Sequence, residues 1–120
     1  MQVIALFKRT SFLDKGQALI WSNSAGSAEF FTLTTTAKTL NAAGIQMIYR
    51  VPDTHPTVKG TVNSQYINWH VFGINNGTIT DIITPAAGYK QTVTVNTSGY
   101  DMIVFAPHIS SAVSTSFMIQ

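Results

Sequence analysis

The dipeptide Asn76-Gly77, set between two apolar runs, constrains the fold of this chain more than any other feature. Asn and Gly tolerate the positive φ angles that both central positions of a type I′ turn require, so residues 65–84 are predicted to form a tight β-hairpin. Both faces of this hairpin carry apolar side chains, which is typical of strands covered on two sides. The predicted register pairs Asn75 with Thr78, Ile74 with Ile79, Phe72 with Asp81 and His70 with Ile83.

In the rest of the chain, too, the turn-forming residues Gly, Pro and Asn separate strand-like segments. Strand-like segments recur at intervals of about 8–12 residues, and no segment predicts a helix of useful length. This pattern predicts an all-β protein with an antiparallel two-sheet β-sandwich, immunoglobulin-like or jelly-roll, of about eight or nine strands. A length of 120 residues is typical of one domain, so the sandwich is expected to span residues 1–120. Besides the hairpin, the predicted strands are residues 2–12, 17–23, 29–36, 45–51, 57–64, 89–96 and 100–106.

Four segments carry more specific expectations. Residues 37–44 are predicted as a loop, because they are too short for a stable helix. The segment 57–64 contains Gly60 and is expected at a sheet edge or at a bulge. Pro107 is expected to end the preceding strand, because proline donates no hydrogen bond to a β-ladder. Residues 117–119 are predicted as a short strand or a docked tail.

The composition is unusual in its scarcity of charge. Charged residues make up 10% of the chain, against roughly 25% in soluble domains. Thr, Ser, Asn and Gln supply the polarity instead, which is typical of surfaces buried against neighbouring subunits or exposed on virions. Strand edges of this composition lack the lysines that discourage edge-to-edge pairing in natural monomers.

The sequence offers little catalytic chemistry. There is no cysteine, and the five acidic residues are scattered. No nucleophile elbow, phosphate-binding loop or dinucleotide fingerprint is present in the sequence. His55 and His108 both lie beside prolines, where they could share one end of a sandwich, whereas His70 lies within a strand. We therefore expect a protein that is not an enzyme and has no cofactor, no metal site and no catalytic residue.

The charge distribution and hydropathy also limit the partners. A net charge of +2 without a basic run does not predict a nucleic-acid interface. No apolar run has the length of a membrane span. The first residues carry their charges after a short apolar run, the reverse of the order in a signal peptide. We expect no nucleic-acid or membrane partner and synthesis in the cytosol.

A charge-poor all-β chain of this size, without cysteine or signal peptide, resembles the small accessory proteins of tailed-phage virions, such as head-decoration, cement or fibre modules. Residues 85–107 are also similar to the closing hairpin of bacterial and phage sandwich domains. The resemblance is compositional and carries over no individual residue. It implies a structural viral protein that is made in the host cytoplasm and located in the virion. Such a protein self-associates, as a trimer by preference, or docks on a capsid or tail lattice.

The apolar ends of the chain are the candidates for an assembly interface. Val3 near the start and Phe117, Met118 and Ile119 near the end lie in short apolar segments that are able to swap or dock on a neighbour. This hypothesis predicts that removal of residues 117–120 abolishes assembly.

A carbohydrate-binding, lectin-like module is the alternative hypothesis. Such modules stack sugars on exposed aromatic rings and hydrogen-bond the hydroxyls with nearby amides or carboxylates. The candidate residues are Tyr66, Asn68, Trp69, His70 and Tyr89. A purely structural explanation places the tryptophans in the core and the tyrosines at its rim, with their hydroxyls in water. Burial of both tryptophans would exclude a site that depends on tryptophan.

Overall fold

Ten strands and no α-helix are present in the residues that the structure describes, 12–22, 26–108 and 111–120 of a computed structural model. The strands form two antiparallel sheets, which confirms the predicted β-sandwich. The strands are β1 (Gln17–Ser22), β2 (Ser27–Thr32), β3 (Lys38–Ala42), β4 (Ile45–Arg50), β5 (Thr57–Val62), β6 (Asn68–Asn75), β7 (Thr78–Ile83), β8 (Thr92–Asn96), β9 (Met102–His108) and β10 (Val113–Ile119).

The two sheets contain six and four strands, in the orders β2-β1-β4-β9-β6-β7 and β3-β10-β5-β8. Their inner faces enclose the main hydrophobic core. Three aromatic rings lie at the centre of this core and contact one another, with ring centroids 5.4–6.3 Å apart: Trp69 of β6, Phe105 of β9 and Phe117 of β10. Edge-to-face contacts of this kind stabilise a core beyond the apolar area that they bury.

Gly60 is the small residue that admits this aromatic group. A Cβ atom at Gly60 would lie 2.8 Å from Cη2 of Trp69 and 3.2 Å from Cε1 of Phe117. Glycine in a strand often marks such a close approach of another group. The strand itself, β5, lies between β10 and β8, so the prediction of an edge strand at residues 57–64 is wrong.

The six-stranded sheet is buried on both faces near its centre. Along β9, Ile103 and Phe105 belong to the main core, whereas Met102 and Val104 belong to a second cluster on the outer face. Ile74 of β6 joins that second cluster. This arrangement explains why the central strands are apolar on successive positions and not only on alternate ones.

The predicted hairpin is formed by β6 and β7. Asn76 and Gly77 have φ angles of 49° and 82°, as a type I′ turn requires. The three predicted pairs nearest the turn are present. A register shift between Val71 and Phe72 then places Ile83 opposite Val71, one residue from its predicted partner. Because β7 is at the edge of the sheet that the described residues form, the hairpin lies at the side of this sheet and not at its centre.

At two places the strands extend beyond the prediction, since no strand was predicted at residues 38–42 and only residues 117–119 were predicted as a short strand at the end of the chain. Residues 38–42 form β3 instead of a loop. The end of the chain forms the seven-residue β10, which pairs with β3 on one side and β5 on the other. In β10 the alternate residues Thr115 and Phe117 are buried, so a strand period is present but is carried partly by hydroxyl side chains.

Pro107 lies inside β9 and does not end it, in contrast to the prediction. The Val51 amide donates to the Asp101 carbonyl (2.8 Å), and hydrogen-bonded positions alternate along an antiparallel pair, so every second residue after Asp101 faces β4. Pro107 is such a position, and pairing with β4 stops at Phe105. On its other side Pro107 stays opposite Trp69, so the missing N–H interrupts one ladder only.

Residues 1–11 lie outside the described part of the chain. They include the interface candidate Val3 and all but the last residue of the strand predicted at residues 2–12. The other interface candidates are described. Phe117 is 0% exposed, and Met118 and Ile119 are half-buried in β10. The Phe117 side chain is therefore part of the core of its own sandwich.

Candidate functional site

Two exposed tyrosines lie against each other beside the first residue of β6. Tyr66 and Tyr89 are 71% and 64% exposed, and their rings meet edge to face with centroids 6.1 Å apart. Tyr66 precedes β6, and Tyr89 follows the 3₁₀ turn Pro85–Ala87 in the connection between β7 and β8. A large apolar ring that stays in water on a folded protein is a candidate contact for a ligand.

Backbone pairing brings the two tyrosines together. Tyr89 forms an isolated antiparallel bridge with Asn68, and the Lys90 amide donates to the Ile67 carbonyl (2.9 Å). Alternate positions of an extended chain share one face, so Tyr66, Asn68 and His70 project on the same side. We call Tyr66, Asn68, His70 and Tyr89 the tyrosine surface.

Trp69 supports the tyrosine surface from inside the core. It is 1% exposed, and its indole Nε1–H donates to the Lys90 carbonyl at 2.7 Å, which ties the loop of Tyr89 to the sandwich. Its burial excludes a sugar stacked on this residue and corrects that part of the sequence hypothesis. Trp21 is half-buried against the outer cluster. At this surface the exposed aromatic rings are therefore those of Tyr66 and Tyr89.

Polar groups lie beside the tyrosines. Oδ1 of Asn68 is buried and has no hydrogen-bond partner in the described part of the chain. Nε2 of His70 lies 2.8 Å from Oδ1 of Asp81, and its ring centroid lies 5.3 Å from that of Phe72. Asp81 was not among the predicted site residues, although the hairpin register, which places it opposite Phe72, was a signal that could have found it.

The edge strands of the two sheets are the second candidate for a functional surface. Of the four edge strands in the described sheets, three carry a charged residue: Glu29 in β2, Lys38 in β3 and Asp81 in β7. Glu29 and Lys38 also form an ion pair of 2.6 Å that links the edges of the two sheets, and β7 adjoins the register shift in β6. Charges and bulges of this kind discourage the addition of another strand.

The fourth edge strand of the described sheets, β8, carries no charge and adjoins no register shift. Its sequence is Thr-Val-Thr-Val-Asn, without charge or proline. The Val62 amide donates to the Gln91 carbonyl (2.9 Å), so the hydrogen-bonding groups of Val93 and Val95 also face β5. The N–H and C=O groups of the alternate residues, Thr92, Thr94 and Asn96, therefore face away from the sheet. We call this side of β8 the open edge.

Comparison with known proteins finds no matching family model, no matching curated protein and no matching solved structure. The candidate functional surfaces of the chain are the tyrosine surface, the open edge and a cleft beside Asn76 and Asp101. Among the residues that the structure describes, no helix combines the length and the apolar character needed to span a membrane.

The cleft has a volume of about 350 Å³ and is lined by both charged and apolar residues. Several of these charges are satisfied within the protein. Lys15 Nζ lies 2.6 Å from Asp53 Oδ1, and this hydrogen bond is the main cause of a lowered pKa of the Asp53 carboxyl. Asp101 Oδ2 accepts the Asn76 amide at 2.7 Å. Arg50 also lines the cleft, and its guanidinium donates to the Leu13 carbonyl. Each of the charged residues Lys15, Arg50, Asp53 and Asp101 therefore already has a hydrogen-bond partner within the protein.

The histidines do not come together. His55 lines the cleft beside Asp101, which precedes β9, whereas His108 is the last residue of β9. The two lie at opposite ends of that strand, so the suggestion that they share one end of the sandwich is wrong. Within the described ranges, no group of three or more His, Cys, Asp or Glu side chains could hold a metal ion.

Proposed function

We propose that this protein is a non-enzymatic structural protein that assembles by strand addition at the open edge of β8. The observation that supports the proposal is the contrast among the four described edges, of which β8 alone lacks a charge and does not adjoin a register shift. An unprotected edge is a template for pairing with another chain, and natural monomers rarely retain one.

The setting we propose is a virion, in which the chain acts as a small accessory protein of the head-decoration, cement or fibre kind. The low charge content and the hydroxyl-rich surface support this setting. The partner at the open edge is then another copy of the chain or a strand of a capsid or tail lattice. Neither partner requires a cofactor, a nucleic acid or a membrane.

The test is the mass in solution of the wild-type chain and of two charge variants. Thr94→Glu places a carboxylate on the open edge, opposite Lys59 of its own sheet, so the sandwich itself is not destabilised. Thr80→Glu is the matched control, an exposed threonine in the edge strand β7. Light scattering over a dilution series should show an oligomer for the wild type and for Thr80→Glu.

Thr94→Glu should instead elute as a 13.1 kDa monomer with an unchanged far-UV spectrum. A wild-type chain that is monomeric at every concentration would contradict self-association. An oligomer that survives Thr94→Glu unchanged would show that assembly uses another surface.

A second candidate function is carbohydrate binding at the tyrosine surface. The observation that favours it is that four of the five predicted sugar contacts, all except Trp69, meet on one surface. Exposed rings can stack on the apolar face of a sugar, and the His70–Asp81 pair offers groups that hydrogen-bond hydroxyls. This function is compatible with a fibre or decoration protein.

A glycan array followed by calorimetry with the best soluble sugar tests this second function. Tyr66→Ala and Tyr89→Ala should each weaken binding by about tenfold, the effect of losing an aromatic contact of about 1.4 kcal/mol. Phe30→Ala is the control, because Phe30 is exposed on β2, at the opposite edge of the six-stranded sheet. Equal loss in all three variants, or no binding to any sugar, would refute a specific site at the tyrosine surface.

A further inference from the structure

We infer that the partner at the open edge is a second copy of this chain, paired antiparallel about a twofold axis that passes beside Thr94. This inference depends on the proposed assembly function and adds the partner, the register and the symmetry. It joins the two four-stranded sheets into one continuous sheet of eight strands.

The backbone of β8 supports this register. Thr92, Thr94 and Asn96 direct their N–H and C=O groups to the open edge, because the intervening valines use theirs on β5. A twofold axis beside Thr94 places Thr94 opposite its own copy and Thr92 opposite Asn96 of the second copy. All of the outward groups then fall on hydrogen-bonded positions, where each pair of residues exchanges two backbone hydrogen bonds.

The side chains of β8 are compatible with their own copies. Val93 and Val95 face the core and would lie opposite each other across the axis, so the apolar layer continues from one protomer to the next. On the outer face, Thr94 would lie opposite Thr94 of the second copy, and Thr92 would lie opposite Asn96. The five-residue strand thus has nearly the same character in both directions, which is the self-complementarity that a twofold contact needs.

Electrostatic repulsion does not oppose this pairing. The nearest charge within the four-stranded sheet is Lys59 of β5, directly opposite Thr94. In the dimer the two Lys59 positions are separated by three strand spacings, roughly 14 Å. This separation exceeds the Debye length of about 8 Å at physiological ionic strength, so the two lysines are largely screened from each other.

The other described edges are less suited to the same contact. An antiparallel copy of β7 brings two Asp81 carboxylates to the interface, and β2 and β3 are tied to each other by the Glu29–Lys38 ion pair. A contact about a twofold axis is also complete with two chains. We therefore infer a dimer at this edge, in place of the trimer expected from composition.

Cysteine cross-linking tests the inference, because the chain has no cysteine of its own. Opposite residues in a hydrogen-bonded pair have Cα atoms about 5.5 Å apart. The full-length Thr94→Cys variant should therefore react with a short bismaleimide to give a band of doubled mass on a denaturing gel. Thr80→Cys, on the edge of β7, measures the background from random collisions.

Two further variants report the register. A mixture of Thr92→Cys and Asn96→Cys chains should cross-link, whereas Thr92→Cys alone should not, because its two copies lie four residues apart along the strand, about 14 Å. Efficient cross-linking of Thr92→Cys alone would overturn the inferred axis.

The outcomes separate this inference from the proposed function. A wild-type oligomer that Thr94→Glu dissociates, but in which Thr94→Cys does not cross-link above the Thr80→Cys level, would retain strand addition and refute the twofold pairing. A monomeric wild type without cross-linking would refute both. Cross-linking of Thr94→Cys, together with the mixed pair, would support both.

Discussion

Replacement of Phe117 by alanine tests whether the last strand belongs to the core of its own sandwich. The ring is fully buried, and its centroid lies 5.4 Å from that of Phe105 and 6.3 Å from that of Trp69. Phe117 also pairs with Gly60, which has no side chain to fill the space. Truncation of a buried phenylalanine costs about 3–5 kcal/mol, and poor local collapse places this site toward the upper part of that range.

Urea unfolding followed by tryptophan fluorescence measures this loss, because Trp69 is a buried neighbour of the ring. Since domains are typically stable by about 5–15 kcal/mol, the variant should fold but unfold at a much lower urea concentration. Met118→Ala, at the adjacent half-buried position, should cost clearly less. A loss below about 1 kcal/mol for Phe117→Ala, accompanied by dissociation of an oligomer, would refute the core placement and support the interface predicted from sequence.

Two other substitutions have results that the structure determines. In Gly73→Ala the new Cβ would overlap the ring of Tyr100, so we expect a loss of about 1–3 kcal/mol in thermal or urea unfolding; an unchanged midpoint would show that the ring moves freely. Burial raises the pKa of the Tyr49 hydroxyl to about 12, against about 10 in the unfolded chain. Because the native state retains this proton longer, its contribution to stability is complete below pH 10 and is lost between about pH 10 and 12, by roughly 3 kcal/mol. Tyr49→Phe should reduce this alkaline loss in urea titrations, and an unchanged pH dependence would contradict the assignment.

The hairpin shows how far local turn chemistry predicts this fold. Asn76 and Gly77 specify a type I′ turn, and the turn sets the register for the residues next to it. The shift between Val71 and Phe72 was not predictable in the same way, because a bulge depends on how the strand fits a twisted sheet and a core. Local chemistry therefore predicted the turn, and tertiary packing decided the far end of the hairpin.

Residues 113–116 of β10 escaped prediction because burial there does not follow hydrophobicity, and β3 escaped it because Leu40 and Ala42 are its only apolar residues. Thr115 of β10 is fully buried, although threonine alone gives no apolar signal. The order of the strands could not be predicted from the sequence either. Gly60 suggested an edge strand, but it lies in an internal strand and makes room there for the Trp69 ring. Both features arise from contacts between residues distant in sequence, which periodicity along one strand does not report.

The tyrosine surface was predictable in part for the same reason. Alternation along the hairpin strand placed Tyr66, Asn68 and His70 on one face, and the structure retains this arrangement. The same alternation placed Trp69 on the opposite side, and the packing of the second sheet made that side the core. The approach of Tyr89 required knowledge of the bridge to Asn68, which no local pattern contains.

The open edge and the tyrosine surface are separate enough to act independently. The tyrosine surface is built mainly on β6 of the six-stranded sheet, whereas strand addition at β8 extends the other sheet. Tyr89 precedes β8 and is positioned by its bridge to Asn68 and by the hydrogen bonds of the next residue, Lys90, to Ile67 and Trp69. In the inferred dimer each copy would carry its own tyrosine surface, so that one dimer would present two. Pairing would then strengthen attachment to a sugar-coated surface through avidity while the affinity of one site for a free sugar stayed the same.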